Sequence, residues 1–193
     1  MTIRDQLSNL RMPIFAAPMF LVSSPELVVA CCKAGVVGSF PAPNLRTSAE
    51  LGDWMQTIRD GVAQPAESAW PVAPWAVNLV THSTSPRLAS DLEQVAKHQP
   101  PIVITALGSP KPVIPVVHTY GGLVFADVTS VELARKAADA GVDGLVLVCS
   151  GAGGHTGEIA SMVLVPEIVD AVGGQRVLAA GGIGSGGQIA AAL

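Results

Sequence analysis

A chain of 193 residues with 49% apolar and 13% charged side chains and a mean hydropathy of +0.47 is not a disordered polymer, which needs low hydrophobicity and high charge. Eleven Lys and Arg against fifteen Asp and Glu leave a net charge of −4 with no basic block, and three Trp, one Tyr and four Phe are too few for base-stacking platforms, so nucleic-acid binding gets no support. A chain of this length buries roughly 70% of its unfolded surface, so one large domain needs no disulfide framework, and so little charge predicts strands buried on both faces.

The N-terminal stretch from Met1 to Phe15 has no apolar signal-peptide core, and Lys, Asp, Gly or Pro interrupts every candidate membrane span. The first predicted strand is Ile14–Ala17. Ser24, Pro25 and Glu26 then open a helix: Ser24 caps, Pro25 suits the first turn, Glu26 favours the dipole, and Gly35 ends it. A second strand, Val36–Phe40, precedes a helix opened by Thr47 and Ser48. The Pro-rich stretch Gln64–Pro74 reads as a loop before the third strand, Ala76–Val80. A helix opened by Pro86 and Arg87 runs to about His98. Strands follow at Ile102–Thr105 and Leu123–Ala126. Ser130 opens an amphipathic helix that ends at Gly141. Gly144–Val148 is a strand, Met162–Val172 a helix closed by Gly173 and Gly174, Val177–Ala180 a strand, and Gly186–Leu193 the start of another helix.

This alternation, at about 27 residues per unit, predicts an α/β fold with parallel strands: a TIM (β/α)8 barrel or a doubly wound sheet. Two features favour the barrel. Polar or glycine residues sit near the ends of most strands: Pro18-Met19, Asn78, Gly108-Ser109, Asp127, Ser150–His155 and Gly181-Gly182. In a barrel these ends converge on the C-terminal face, where ligands bind. The turn from Ala180 to Gly187 also follows a strand and enters a helix, which suits an anion.

The strongest chemical segment is Val148–Gly157, in which a buried strand runs into three close glycines, His155 and another glycine. Glycines let the backbone approach a flat ligand closely. A histidine at a strand mouth can exchange a proton near neutral pH or hold an anion. The bland alternative, an incidental exposed histidine on a flexible loop, stands at about even weight. Asn78 offers a donor and an acceptor together, although alone it reads as a turn residue. His82, His98 and His118 are weaker candidates, and no histidine has metal-ligand spacing with a carboxylate. Cys149 reads as a core thiol. Three cysteines, two of them adjacent, fit reduced thiols of a cytoplasmic protein. There is no Gly-x-Ser-x-Gly elbow and no Walker spacing, and the glycines from Gly182 to Gly187 echo a dinucleotide fingerprint too late in the chain.

Taken in order, Ala16–Met19, Asn78–Val80, Ile104–Gly108, His118–Gly122, Gly141–Gly144 and Gly151–Gly157 resemble the nitronate monooxygenases, formerly 2-nitropropane dioxygenases, from about Pro13 to the last residue. The resemblance implies an FMN-dependent oxidoreductase on a TIM barrel. The flavin would meet Ala17, Pro18, Met19, Asn78 and Asp127. Gly153 and Gly154 would let the chain run close to it, and Gly181, Gly182 and Gly184 would offer amides to its phosphate. His155 matches the family's active-site histidine and would deprotonate a nitroalkane or orient a nitronate; the products are a carbonyl compound and nitrite, with oxygen consumed. No metal, nucleic acid or membrane is implied. Members continue through an eighth strand that completes the phosphate site. The expectation is therefore one FMN-binding domain over residues 1–193, truncated after the seventh strand. An NADH-dependent reductase of quinones or enoyl thioesters on the same scaffold, and a non-catalytic flavin-binding fragment, are the alternatives.

Overall fold

The computed structural model describes residues 1–65 and 70–193. The chain divides into two compact units, Met1–Val124 and Phe125–Leu193. The first carries α1 (Ile3–Ser8), α2 (Pro25–Lys33), β1 (Gly38–Pro41), a 3₁₀ turn (Ala42–Asn44), α3 (Ser48–Ala63), β2 (Trp75–Val80), α4 (Leu88–His98), β3 (Ile102–Ala106) and α5 (Ile114–Thr119). β4 (Leu123–Val128) crosses the division. The second unit continues with α6 (Val131–Ala140), β5 (Gly144–Val148), α7 (Ser161–Val172), β6 (Arg176–Ala180) and α8 (Gly186–Ala192). In the first unit β1 pairs with β2 and β2 with β3; in the second β4 pairs with β5 and β5 with β6, all parallel. This is the α/β repeat of a TIM (β/α)8 barrel, as the sequence predicts.

The predicted caps form. The Ser24 hydroxyl accepts the amide of Leu27, Ser130 that of Leu133, and Thr47 forms a reciprocal capping box with Glu50. Gly141 ends α6 at φ +93°. Among the described residues six of the seven predicted strands form. The first, Ile14–Ala17, is reduced to one parallel bridge between Phe15 and Val37, with Ala16 N–H donating to the Val37 carbonyl and Val37 N–H to that of Ile14. Pro13 and Pro18 flank this run and have no amide hydrogen, so only four residues can pair. Helices α1 and α5 were not predicted; each has only six residues, and α5 starts without a side-chain cap. Of the Pro-rich stretch Gln64–Pro74, residues 66–69 lie outside the described residues.

Alternation fixes which strand residues face the helices. The Phe40 ring lies 5.6 Å from that of Trp54 on α3, and a Cβ at Gly38 would collide with the Val28 carbonyl on α2. Residues 38 and 40 therefore face helices. Ser39 and Pro41 take the opposite face, with their register partners Ala76, Asn78, Ile102 and Ile104. In the second unit Ala126, Leu145 and Leu147 are fully buried, whereas Asp127, Val146, Val148 and Ala180 line the less covered face.

His98 closes α4 at 7% exposure, and the Arg59 guanidinium donates to its carbonyl. Burial first, then the charges of Lys97 and Arg59, hold its imidazole pKa below the usual histidine value, against a smaller opposing pull from Asp53. A histidine kept neutral by the fold binds fewer protons than in the unfolded chain, so its contribution is complete above about pH 6.5 and is lost on acidification below it. Thermal melts across that range should show His98→Gln less acid-sensitive than wild type. Parallel pH profiles would contradict this.

Candidate active site

Asn78 and Asp127 lie in the C-terminal parts of β2 and β4, Gly153 to His155 and Gly181 to Gly184 follow β5 and β6, and Ala17, Pro18 and Met19 follow the isolated Phe15–Val37 bridge. In the first unit, Ala17, Pro18 and Met19 open the loop that leads to α2. Ser23, at its far end, is 2% exposed and closes it: its hydroxyl accepts the Met19 amide at 3.0 Å and donates to the Ala17 carbonyl at 3.5 Å, while its own amide donates to the Met19 carbonyl at 3.0 Å. The Met19 backbone is thus largely engaged within the loop, which leaves its exposed side chain as the group free to meet a ligand. Asn78 is buried at 7% exposure on β2, paired in register with Pro41 and Ile104. The loop after β2 carries His82, whose Nδ1 is 2.8 Å from the Thr84 hydroxyl.

In the second unit, Asp127 lies on the less covered face of β4, in register with Val146. The segment after β5 folds back on itself. Gly157 N–H donates to the Val148 carbonyl at 3.1 Å, Ser150 N–H to that of Ile159 at 2.8 Å, and the Thr156 hydroxyl to that of Cys149 at 2.8 Å. Gly153, Gly154 and His155 form the exposed crest of this closed loop. Gly151 at φ +92° and Gly154 at φ +72° supply the left-handed turns. A Cβ at Gly157 would lie 2.5 Å from the Val148 carbonyl oxygen, so glycine is required where the loop closes. The sequence motif contains Gly157 and Thr156, but their closing role shows only in the backbone pairing.

The glycine turn after β6 runs against the same loop. A Cβ at Gly151 would lie 3.6 Å from the Gly182 nitrogen, and one at Gly181 3.0 Å from the Cys149 carbonyl oxygen. Gly181 and Gly182 adopt φ of +136° and +73°. Ser185 caps α8, and Gln188 Oε1 accepts the Gly184 amide at 2.9 Å, so that donor is already engaged. A Cβ at Gly153, Gly154 or Gly184 would meet nothing within 4 Å. Two bare glycine segments, one beneath a histidine and one entering a helix, fit a flat cofactor that carries a phosphate.

Cys149 is fully buried; its thiol donates to the Leu147 carbonyl at 3.3 Å, and burial pushes its pKa up. Burial pushes Cys32 up to about 12. Neither supplies the thiolate that reacts. A thiol reagent should therefore label the less buried Cys31 first in the native protein, and all three cysteines after unfolding. Rapid native labelling of Cys149 would contradict its place in the core. Among the described residues no group of three or more His, Cys, Asp or Glu could hold a metal, and no helix is long and apolar enough to cross a membrane.

A sequence model of the nitronate monooxygenase family matches residues 2–193. A nitronate monooxygenase of Paraburkholderia phytofirmans is 31% identical over 94% of this chain and 59% of its own length. A hydroxy-methyl-oxo-octahydroindene-carboxyl-CoA dehydrogenase of Mycobacterium tuberculosis is 27% identical over 97% of this chain and 50% of its own. The solved structure of FabK from Thermotoga maritima superimposes with a TM-score of 0.81 at 28% identity, covering 98% of this chain and 57% of that one. The chain thus spans about half the length of the curated relatives it matches.

Proposed function

The chain belongs to the nitronate monooxygenase family, and from that membership we propose that it serves the FMN-dependent oxidation of alkyl nitronates and nitroalkanes by oxygen to carbonyl compounds and nitrite. The observation that carries this reading is His155 on the crest of a closed, glycine-rich loop that follows β5. FMN, when bound, supplies the redox chemistry, and the protein supplies position and electrostatics.

On this reading the chain's own residues divide the work. Gly153 and Gly154 present bare backbone where a Cβ would otherwise project, which suits close approach of a planar ring. Gly181 and Gly182 offer turn amides for a phosphate; Gly184 joins them only when Gln188 releases its amide. The Met19 side chain and the Asn78 carboxamide serve the ring system, the latter with one donor and one acceptor group. Asp127 adds an anionic acceptor on the less covered face of β4. Ala17 and Pro18 contribute backbone surface. His155 takes the Cα proton of a neutral nitroalkane, or in its protonated form holds the nitronate oxygens. Three cysteines without disulfides suit a reducing, cytoplasmic setting.

The similarity to a carboxyl-CoA dehydrogenase favours a second reading, an NADH-dependent reductase of quinones or enoyl thioesters on the same scaffold. Parallel assays separate the two. The first reading expects nitrite release with oxygen uptake on alkyl nitronates; NADH oxidation under nitrogen with a quinone, and no nitrite from nitronates, would replace it with the second.

A further inference from the structure

The loop between the first strand and α2 inverts ordinary burial. Its polar residue, Ser23, is 2% exposed, whereas Phe20, Leu21 and Val22 are 63%, 78% and 60% exposed. Large apolar side chains side by side in solvent mark a binding surface rather than a core. No residue from Ala17 to Ser24 carries a charge.

The display is rigidly built. Leu21 has φ +62°, a conformation a branched side chain avoids unless its surroundings impose it. Asn44, in the turn after β1, imposes it: its Oδ1 accepts the Leu21 amide at 2.8 Å, and its Nδ2 donates to the carbonyls of Ser23 at 2.9 Å and Met19 at 3.4 Å. Ser23 holds the loop from the other side through Met19. A second leucine repeats the pattern. Leu107, just past the end of β3, has φ +60° and is 46% exposed. Leu107 lies just past the C-terminal end of β3 and Leu21 in the loop that follows the parallel Phe15–Val37 bridge, the side on which barrel enzymes bind substrates. Strained residues cluster at ligand clamps.

We propose that Phe20 and Leu21, with Leu107, form an uncharged apolar wall that selects substrates by the hydrocarbon chain attached to their reacting carbon, and that Asn44 is the positioning residue that holds Leu21 in that wall. This rests on the functional reading above, which supplies a small-molecule substrate with a hydrocarbon chain on its reacting carbon. The occupant is an alkyl chain, since a wall without charge offers nothing to a phosphorylated or polar tail.

The test uses the full-length FMN-loaded protein with primary alkyl nitronates from ethyl to octyl, and calorimetric Kd values for the matching n-alkyl carboxylates, which are inert anions with two oxygens. Burial of one methylene predicts about two- to fourfold lower KM and Kd per added carbon. Leu21→Gly removes the side chain while suiting the positive φ, so it preserves the fold; it should flatten both slopes. Asn44→Asp keeps the acceptor for Leu21 and loses both donors. It should raise KM for long chains more than it lowers kcat. If no nitronate yields nitrite but carboxylate Kd still falls with chain length in wild type and not in Leu21→Gly, the wall stands and the nitronate reading fails. If nitronates turn over with KM and Kd independent of chain length, the wall is overturned and the nitronate reading stands. A lowered melting temperature in both variants, with unchanged slopes, would assign the apolar residues to packing against the protein's own chain and overturn the proposal.

Discussion

His155→Ala slows turnover of neutral nitroalkanes by roughly 10²–10⁴-fold, the loss typical of a removed general base, and slows preformed nitronates far less. The asymmetry follows from the chemistry. A nitroalkane must lose its Cα proton before oxidation, whereas a nitronate has already lost it. The structure gives His155 the exposure this role needs, on the crest of a loop whose base is closed by Gly157, Ser150 and Thr156. Initial rates on both substrate forms, at equal FMN occupancy, measure the effect. Equal rates for wild type and variant on both forms would make His155 a bystander.

Gly157→Ala lowers stability by about 1–3 kcal/mol, the usual cost of forcing an extra carbon into a closely packed place. In a chain of this size that corresponds to about 2–12 °C in Tm. The Cβ would lie 2.5 Å from the Val148 carbonyl oxygen and 3.2 Å from the Thr129 Cβ, so strand backbone on one side must give way. The same shift loosens the Gly157–Val148 hydrogen bond and moves the neighbouring Thr156 and His155. Nitroalkane turnover should therefore fall by more than the loss of folded protein explains. Gly187→Ala is the control: Gly187 lies inside the helix α8, a Cβ there meets nothing within 4 Å, and the melting temperature should not fall. Matching melts and rates for the two variants would remove Gly157 from the site.

Helix signals in this sequence are local, and they were legible. Ser24, Thr47 and Ser130 each accept an amide three residues on, as their positions predict, and Gly141 ends its helix in the left-handed region. Short elements were not: α1 carries a capping box between Thr2 and Asp5 but has only six residues, α5 has no side-chain cap, and the first strand, four residues between two prolines, kept one bridge. The glycine motif around His155 marked the site because runs of glycine are rare outside turns. Which glycine closes the loop depends on pairing with Val148, nine residues away, and spacing alone does not reveal it. Asn44 was illegible for the same reason. Its three partners lie 21 to 25 residues upstream, and nothing local separates it from an ordinary turn asparagine.

The most direct test of the central claim is anaerobic mixing of an alkyl nitronate with the FMN-loaded protein, followed by absorbance. The account predicts that nitronate alone, without NADH, changes the flavin absorbance, and that air restores the starting spectrum with release of nitrite. A spectrum that nitronate leaves unchanged and NADH bleaches would contradict it.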